Sequence, residues 1–297
     1  NRDIMNFLII IKDTSEQSKN ILQIGARIAN AFSANLSITH VGKKSKAIIE
    51  GEVNLARITM GEWNILHPGI EVLNWAYETL KEFDTIEIDP DAELKPEDYV
   101  NYTKRITLSL PQSSGRDVEL ILREGEMIEE TSMDIDEFKY DLAILGCPKK
   151  KRSTHQVVQF FNTSVLLVKN FRRDWKYKIQ LCVDDSRATK RSVIFGAKIA
   201  THYKKDVKLL TVSKTNLFKS GYRSAHRWAQ KYLKRTQINC ESLLISGNPV
   251  DIIISEASDD HIIIMGKAKK NEFFKYIWGS KPIHVAQKAN APVLLIN

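Results

Sequence analysis

The sequence has 297 residues, of which 43% are hydrophobic and 27% are charged, and its formal net charge is +8. This length fits about two domains that each bury a core, and the ordinary composition excludes collagen-like, coiled-coil and disordered chains. The longest apolar runs, such as Phe7 to Ile11, fall far short of the ~20 residues of a membrane-spanning helix. Three widely spaced cysteines predict a reducing, cytoplasmic environment and neither a disulfide framework nor a zinc site.

The charge is distributed unequally along the chain. Residues 171–297 carry 24 basic and 10 acidic side chains, so the remaining residues are acidic overall. A basic half can bind a nucleotide phosphate, a nucleic acid or an acidic partner, although solvated Lys-rich helix faces are common. The basic run Lys149 to Arg152 has no interleaved aromatic motif, so we expect no specific nucleic acid binding.

Short apolar runs alternate with segments of helical spacing along the whole chain. In chain order, the runs predict strands at 7–11, 36–41, 118–122, 142–145, 165–168, 179–183, 207–212, 240–245, 261–265 and 293–296. Continuous apolar runs of this length are typical of strands buried on both faces. The alternation therefore predicts an α/β fold with doubly wound parallel sheets, whose ligands bind at the carboxyl ends of the strands.

An internal repeat relates the two halves. Residues 9–41 match residues 180–212, with Asp13 aligned to Asp184 and Ser15 to Ser186, and residues 142–146 match residues 262–266. The spacing between these matches places an insertion at about 43–111 and a deletion after Gly146. We therefore predict two domains, at 1–170 and at 176–297.

The insertion in the first domain has two parts. The first is an amphipathic helix whose apolar residues are Ile70, Leu73, Trp75, Ala76 and Leu80. The second is the acidic stretch from Asp84 to Asp98. We expect this stretch to be a solvated loop, with a lid or a partner-binding surface as alternatives.

Two features of the second half are typical of a phosphate site. Gly279–Ser280 precedes a helix that begins near Pro282, so the pair offers a hydroxyl, backbone N–H groups and the positive end of a helix dipole. The same pair can equally be a simple helix cap. The loop after the fourth strand carries three lysines that can face phosphate oxygens or solvent, namely Lys267, Lys269 and Lys270.

Asp184 follows the first strand of the second half, and Ser186 lies two residues later. A carboxylate at this position can accept hydrogen bonds from a sugar or a base, or it can cap the following helix. Helix capping is the simpler interpretation, because Asp13 and Ser15 occupy the same positions in the first half.

Together these elements resemble the universal stress protein family in a tandem two-domain form. The resemblance rests on Asp-x-Ser after strand one, Val212, Gly247–Asn248–Pro249, Met265–Gly266, Gly279–Ser280 and the closing segment 291–295. It covers most of the chain outside about 43–111. It implies Rossmann-like domains of the adenine nucleotide alpha hydrolase type, a role in the stress response, and a dimer-like pairing through the last strand of each domain.

The resemblance also implies a nucleotide site in the second domain. Asp184 and Val212 would hold the base, Met265 and Gly266 the ribose, and Gly279 and Ser280 the phosphates of ATP or a related adenine nucleotide, with Mg²⁺ if it is ATP. The family signature has a second glycine where this chain has Lys269, which can crowd the site or neutralise phosphate charge. The first domain has no counterpart of Gly279–Ser280, so we expect no nucleotide there.

We therefore expect a non-catalytic module. The sequence offers no convincing general base and no metal spacing among its histidines, so any ATP hydrolysis should be slow and incidental. The alternative is a nucleotide-independent scaffold or protein-interaction module, in which the two halves pair and the insertion binds a partner. In both cases we expect a protein partner or self-association.

Overall fold

The computed structural model describes residues 4–42, 68–83, 100–102, 105–110, 116–171, 176–267 and 281–297. These residues form twelve strands and eight helices, and the chain divides into two compact units, Asn1–Tyr140 and Asp141–Asn297. The limits of the two sequence domains, 1–170 and 176–297, stay a prediction.

The first unit contains five strands that are hydrogen-bonded in the order β1-β2-β5-β4-β3. Its strands are β1 (Asn6–Ile11), β2 (Asn35–Gly42), β3 (Val100–Tyr102), β4 (Arg105–Leu110) and β5 (Val118–Glu124). Its helices are α1 (Glu16–Phe32), α2 (Pro68–Lys81) and α3 (Met127–Phe138). Strands β1, β2 and β5 are parallel, whereas β4 and β3 add to β5 as an antiparallel pair.

The second unit contains seven strands that are hydrogen-bonded in the order β10-β9-β8-β11-β12-β7-β6. The strands are β6 (Leu142–Gly146), β7 (Ser164–Val168), β8 (Lys178–Cys182), β9 (Val207–Ser213), β10 (Cys240–Ser246), β11 (His261–Gly266) and β12 (Val293–Ile296). The helices are α4 (Lys151–Phe160), α5 (Thr189–Tyr203), α6 (Ser220–Arg235), α7 (Pro249–Ala257) and α8 (Lys281–Lys288). The predicted α/β class is confirmed.

One pair of strands in the second unit is antiparallel. The last strand of each predicted repeat, β7 and β12, pairs with the other, so that Leu166 lies opposite Leu294. Both strands are buried along their whole length. The Lys169 ammonium also donates a 2.9 Å hydrogen bond to the carbonyl of Gln287 in α8. This pairing explains why β6, α4 and β7 belong to the second compact unit.

The insertion contributes a helix and two strands. The predicted amphipathic helix is α2, whose Leu73, Ala76, Tyr77 and Leu80 are buried, whereas Trp75 is half-buried. The strands β3 and β4 were not predicted, because β4 alternates in polarity and has no counterpart in the repeat. The acidic stretch from Asp84 to Asp98 lies outside the described residues.

Buried ion pairs attach β4 to β5 and α3. Arg123 on β5 binds Asp134 on α3 through two guanidinium nitrogens, with Nε 3.2 Å from Oδ2. Arg105 on β4 lies 3.7 Å from the same carboxylate and 3.1 Å from Glu119. Burial acts to lower the pKa of Arg123, but the hydrogen bond and charge of Asp134 outweigh burial and raise it. Asp134, which is fully buried, is therefore the carboxylate that both arginines share, and Arg123 also lies 3.6 Å from Glu130.

A second buried polar group fixes α6 on the sheet. The Thr211 hydroxyl donates its hydrogen to the carbonyl of Val183, at a distance of 3.0 Å. Because a hydroxyl has one hydrogen, Thr211 must accept the second hydrogen bond, which comes from Nδ1 of His226 at 2.9 Å. Nε2 of His226 is then left to accept from the Ser242 hydroxyl, 2.7 Å away. These hydrogen bonds join β9, β10 and α6 to the residue that follows β8, beside the strand ends where a ligand site is predicted.

We predict that Asp134→Ala lowers the free energy of unfolding by about 3–5 kcal/mol, because it leaves two buried guanidinium groups without their shared counter-charge. Urea unfolding followed by circular dichroism measures this loss. The matched control is Glu119→Ala, which removes a carboxylate that is 26% exposed from the same cluster and should cost clearly less. If both variants lost the same unfolding free energy, Asp134 would be no more important to the cluster than Glu119.

We also predict a pH dependence of stability that originates at His226. Burial lowers the pKa of this imidazole, so the folded state favours the neutral form. The stabilisation is therefore complete above the unfolded-state pKa of about 6.5 and is lost as the pH falls below it. Between about pH 7 and about pH 5, the unfolding free energy of the wild type should fall more steeply than that of His226→Gln. His202→Gln, at an exposed position of α5, should lose unfolding free energy with falling pH as steeply as the wild type does. The same pH dependence in all three proteins would show that it does not originate at His226.

Candidate functional site

The candidate site lies at the carboxyl ends of β8, β9 and β11. Strand β8 pairs in parallel with β9 on one side and with β11 on the other. The carboxyl ends of adjacent parallel strands meet at one edge of the sheet. The structure therefore brings together Asp184, Val212, Met265 and Gly266.

The Asp184 carboxylate closes the turn after β8. Its Oδ1 accepts hydrogen bonds from the backbone N–H of Ser186, at 3.0 Å, and from the Thr189 hydroxyl, at 2.9 Å. The same hydroxyl also lies 2.8 Å from the Asp184 carbonyl. Asp184 is half-buried, and within the described ranges no donor contacts its Oδ2. One carboxylate oxygen thus holds the turn, and the other is available to a ligand.

The equivalent turn in the first unit has the same hydrogen bonds. Oδ1 of Asp13 accepts from the Ser15 backbone N–H at 3.1 Å and from the Ser18 hydroxyl at 3.0 Å. The hydrogen bond with Ser15 is the main reason why the pKa of Asp13 lies below its usual value. The turn is therefore a shared element of both halves, and its hydrogen bonds alone do not distinguish a ligand site from a helix cap.

Gly266 ends β11 against the loop that Asp184 begins. A Cβ atom at this position would lie 2.9 Å from Cβ of Ala188 and 3.2 Å from Oγ of Ser186. Glycine is required here because the strand end and the loop approach each other so closely. The preceding Met265 is buried opposite Cys182 of β8, so only its backbone is placed to face a ligand.

Val212 lies where β9 extends past its neighbour. The register of β8 and β9 ends at the pair Cys182 and Leu210, two residues before Val212. On the other side of β9, Val212 lies opposite Ile245 of β10. Its side chain is buried, and its backbone lies beyond the ladder with β8.

The first turn of α6 adds residues that the sequence analysis did not identify. Gly221 packs against Asp185, because a Cβ atom on Gly221 would lie 3.0 Å from Cβ of Asp185. The next residue, Tyr222, is half-buried. Burial, followed by the charges of Asp185 and Asp184, raises the pKa of its phenol. The repeat gave no signal for these residues, since the match between the halves ends before α6.

One predicted phosphate ligand has a different role. The Lys267 ammonium donates to the carbonyls of Phe161, at 2.6 Å, and Thr163, at 3.2 Å. Phe161 is the C-cap of α4, so Lys267 neutralises the negative end of that helix. The sequence left two roles open for Lys267, contact with phosphate oxygens or with solvent; in the structure its ammonium binds these two carbonyls instead, because tertiary packing supplies the acceptors.

The other predicted phosphate-site residues, Lys269, Lys270, Gly279 and Ser280, lie outside the described residues. Helix α8 begins at Lys281, so Gly279–Ser280 immediately precedes its first turn in the sequence.

Within the described ranges, no group of three or more His, Cys, Asp or Glu side chains could hold a metal ion. No described helix is both long enough and apolar enough to cross a membrane.

Comparisons with known proteins identify the fold. No family model and no curated protein matches the sequence. A universal stress protein from Archaeoglobus fulgidus is similar in structure, with a TM-score of 0.65 at 14% identity over 98% of each chain. A putative universal stress protein from Pseudomonas aeruginosa has a TM-score of 0.59 at 13% identity, covering 99% of this chain and 93% of its own.

A third similar structure is the cytoplasmic domain of a prokaryotic cation chloride cotransporter, with a TM-score of 0.53 at 11% identity over 98% of this chain and 95% of that domain. All three likenesses extend over nearly the whole chain, including both halves of the sequence. The chain therefore has the fold of universal stress proteins.

Proposed function

We propose that the chain is a tandem universal stress protein, a cytoplasmic and non-catalytic stress-response module whose second domain binds an adenine nucleotide. The main support for the proposal is that Asp184, Val212 and Gly266 lie together at one edge of the sheet. At this edge Oδ2 of Asp184 is available to a ligand. This edge is where open α/β sheets bind their ligands.

The described residues fit the adenosine part of such a ligand. Oδ2 of Asp184 can accept hydrogen bonds from an amino or hydroxyl group. The backbone at Val212, beyond the ladder with β8, can hydrogen-bond a base edge. Gly266 already lies against the Asp184 loop, so the backbone that follows it can approach a ribose without a side chain in between.

The phosphate part of the proposal depends on residues 268–280. Ser280 directly precedes α8, whose second residue is Pro282, and a helix N-terminus of this kind attracts anions. Lys269 would contribute charge rather than the backbone freedom of a glycine. If the ligand is ATP, Mg²⁺ would accompany its phosphates.

The proposal gives the chain no catalytic residue. Asp184 has one oxygen committed to its turn by two hydrogen bonds, so we assign it to binding and not to proton transfer. Any ATP hydrolysis should be slow and incidental.

A nucleotide-independent scaffold is the second candidate function. It is favoured by the role of Lys267, which stabilises the contact between the two last-strand regions. It is also favoured by the turn at Asp13, which has the same hydrogen bonds as the turn at Asp184. Under this alternative the chain would act through a protein partner or through self-association.

We predict that Asp184→Ala weakens ATP binding about tenfold or more, because a hydrogen bond to a charged group contributes roughly 1.5–3 kcal/mol. Isothermal titration calorimetry with ATP and Mg²⁺ measures this change. Asp13→Ala is the matched control, since it removes the same two turn hydrogen bonds from the first unit and should leave the dissociation constant unchanged. Absence of saturable heat from the wild type up to about 1 mM ATP would reject nucleotide binding and leave the scaffold.

We predict that Lys267→Met lowers the free energy of unfolding by about 1–3 kcal/mol, because the carbonyls of Phe161 and Thr163 lose a charged donor. Chemical denaturation measures the loss, and calorimetry with ATP should give the wild-type dissociation constant. Unchanged stability together with weaker ATP binding would instead indicate that Lys267 contacts the phosphates.

A further inference from the structure

Two neighbouring helices of the second unit carry only positive charge. Helix α5 has three Lys or Arg residues and α6 has five, and neither helix contains Asp or Glu. We call these eight side chains the basic face: Lys190, Arg191, Lys198, Arg223, Arg227, Lys231, Lys234 and Arg235. The helices at the corresponding places of the first unit, α1 and α2, together contain three basic and three acidic residues. The fold therefore does not require this charge.

The five cations of α6 lie on one side of the helix. They are all exposed, whereas His226, Ala229 and Leu233 form the buried side. Among the described residues, no carboxylate pairs with any of the five. Other lysines of the chain do have such partners, as Lys208 has Glu256 at 3.1 Å. Like charges on adjacent turns repel one another and cost stability, so this row of cations does not serve to stabilise the helix.

Aromatic rings lie at the edge of the basic face. The rings of Trp228 and Tyr232 are stacked with their centroids 5.5 Å apart. The Lys190 ammonium of α5 lies 5.6 Å from the centroid of the Trp228 ring, so this contact joins the two helices. Both rings are half-buried and offer flat apolar surface beside the charges.

We propose that the basic face binds the phosphate backbone of single-stranded nucleic acid without sequence preference. The α6 cations Arg223, Arg227, Lys231 and Arg235 recur every four residues, which places successive charges about 6 Å apart along the axis. A regular row of cations beside half-buried aromatic rings suits a regularly charged chain with bases that can stack.

An acidic protein is a poorer match to the same surface. Carboxylates of a folded protein are irregularly spaced and are mixed with lysines, so they would leave part of this unbroken row unpaired. A phosphate backbone has one charge per nucleotide and no positive group. The proposal does not depend on the adenine nucleotide site, which lies at the strand ends, and its test uses a different ligand.

The test is fluorescence anisotropy of the full chain with fluorescein-labelled oligothymidine of about 20 nucleotides, longer than a typical single-stranded site. We compare the wild type with Arg227→Gln/Lys231→Gln/Arg235→Gln, in which glutamine preserves helix propensity. The matched control is Lys149→Gln/Lys150→Gln/Arg152→Gln, which removes three exposed charges from the other basic run. Circular dichroism verifies that each variant is folded.

We expect the wild type to bind at about 50 mM salt and to lose affinity steeply towards about 200 mM. The α6 variant should bind at least about tenfold more weakly, and its slope of log affinity against log salt should be smaller by about 2, which is three contacts at roughly 0.7 each. The control variant should bind like the wild type.

Three results would overturn the proposal. One is equal weakening of both variants, which would show an effect of net charge alone. Another is no binding by the wild type at about 50 mM salt. The third is binding of polyglutamate through the basic face without binding of the oligonucleotide, which would identify an acidic protein as the partner. Calorimetry of the α6 variant with ATP separates this test from the test of the proposed function. The variant should bind ATP like the wild type, since the substitutions lie outside the proposed nucleotide site.

Discussion

The antiparallel pairing of β7 with β12 is the constraint on which the second unit depends. These are the last strands of the two predicted repeats, and both are buried along their length. Their pairing brings the end of α4 close enough to accept hydrogen bonds from Lys267 and the end of α8 close enough to accept one from Lys169. Two cations are thereby used to neutralise helix ends, and Lys267 is no longer available to a ligand.

The two halves of the chain show how one local motif can support different roles. The turn after the first strand has the same carboxylate, backbone and hydroxyl hydrogen bonds in both halves. What differs is the surroundings: the second half has Gly266 against the turn and α8 after Gly279–Ser280. The first half passes from Gly146 to α4 through Cys147–Pro148 and two lysines, Lys149 and Lys150. A motif in the sequence therefore identifies the turn, while its neighbours decide whether a ligand can bind there.

Much of the fold was predictable because the apolar runs are long and continuous. Each predicted strand is present within a residue or two of its predicted limits, and the helix in the insertion is present as α2. Strands β3 and β4 were missed, since alternating polarity in a segment without a repeat gives a weak signal. The buried pairs of Arg105 and Arg123 with Asp134 were also missed, because charged residues are ordinarily assigned to the surface.

The sequence by itself determined the α/β class, the repeat and the order of strands along the chain, because hydrophobic periodicity and internal matches are local properties. It also placed Asp184, Val212 and Gly266 at strand ends. Only the tertiary structure decided which strands are neighbours, which helix end Lys267 stabilises, and that the α6 cations share one exposed face with no carboxylate partner among the residues that the structure describes. These properties depend on contacts between residues far apart in the chain, and no local pattern encodes which acceptor or counter-charge will be within reach.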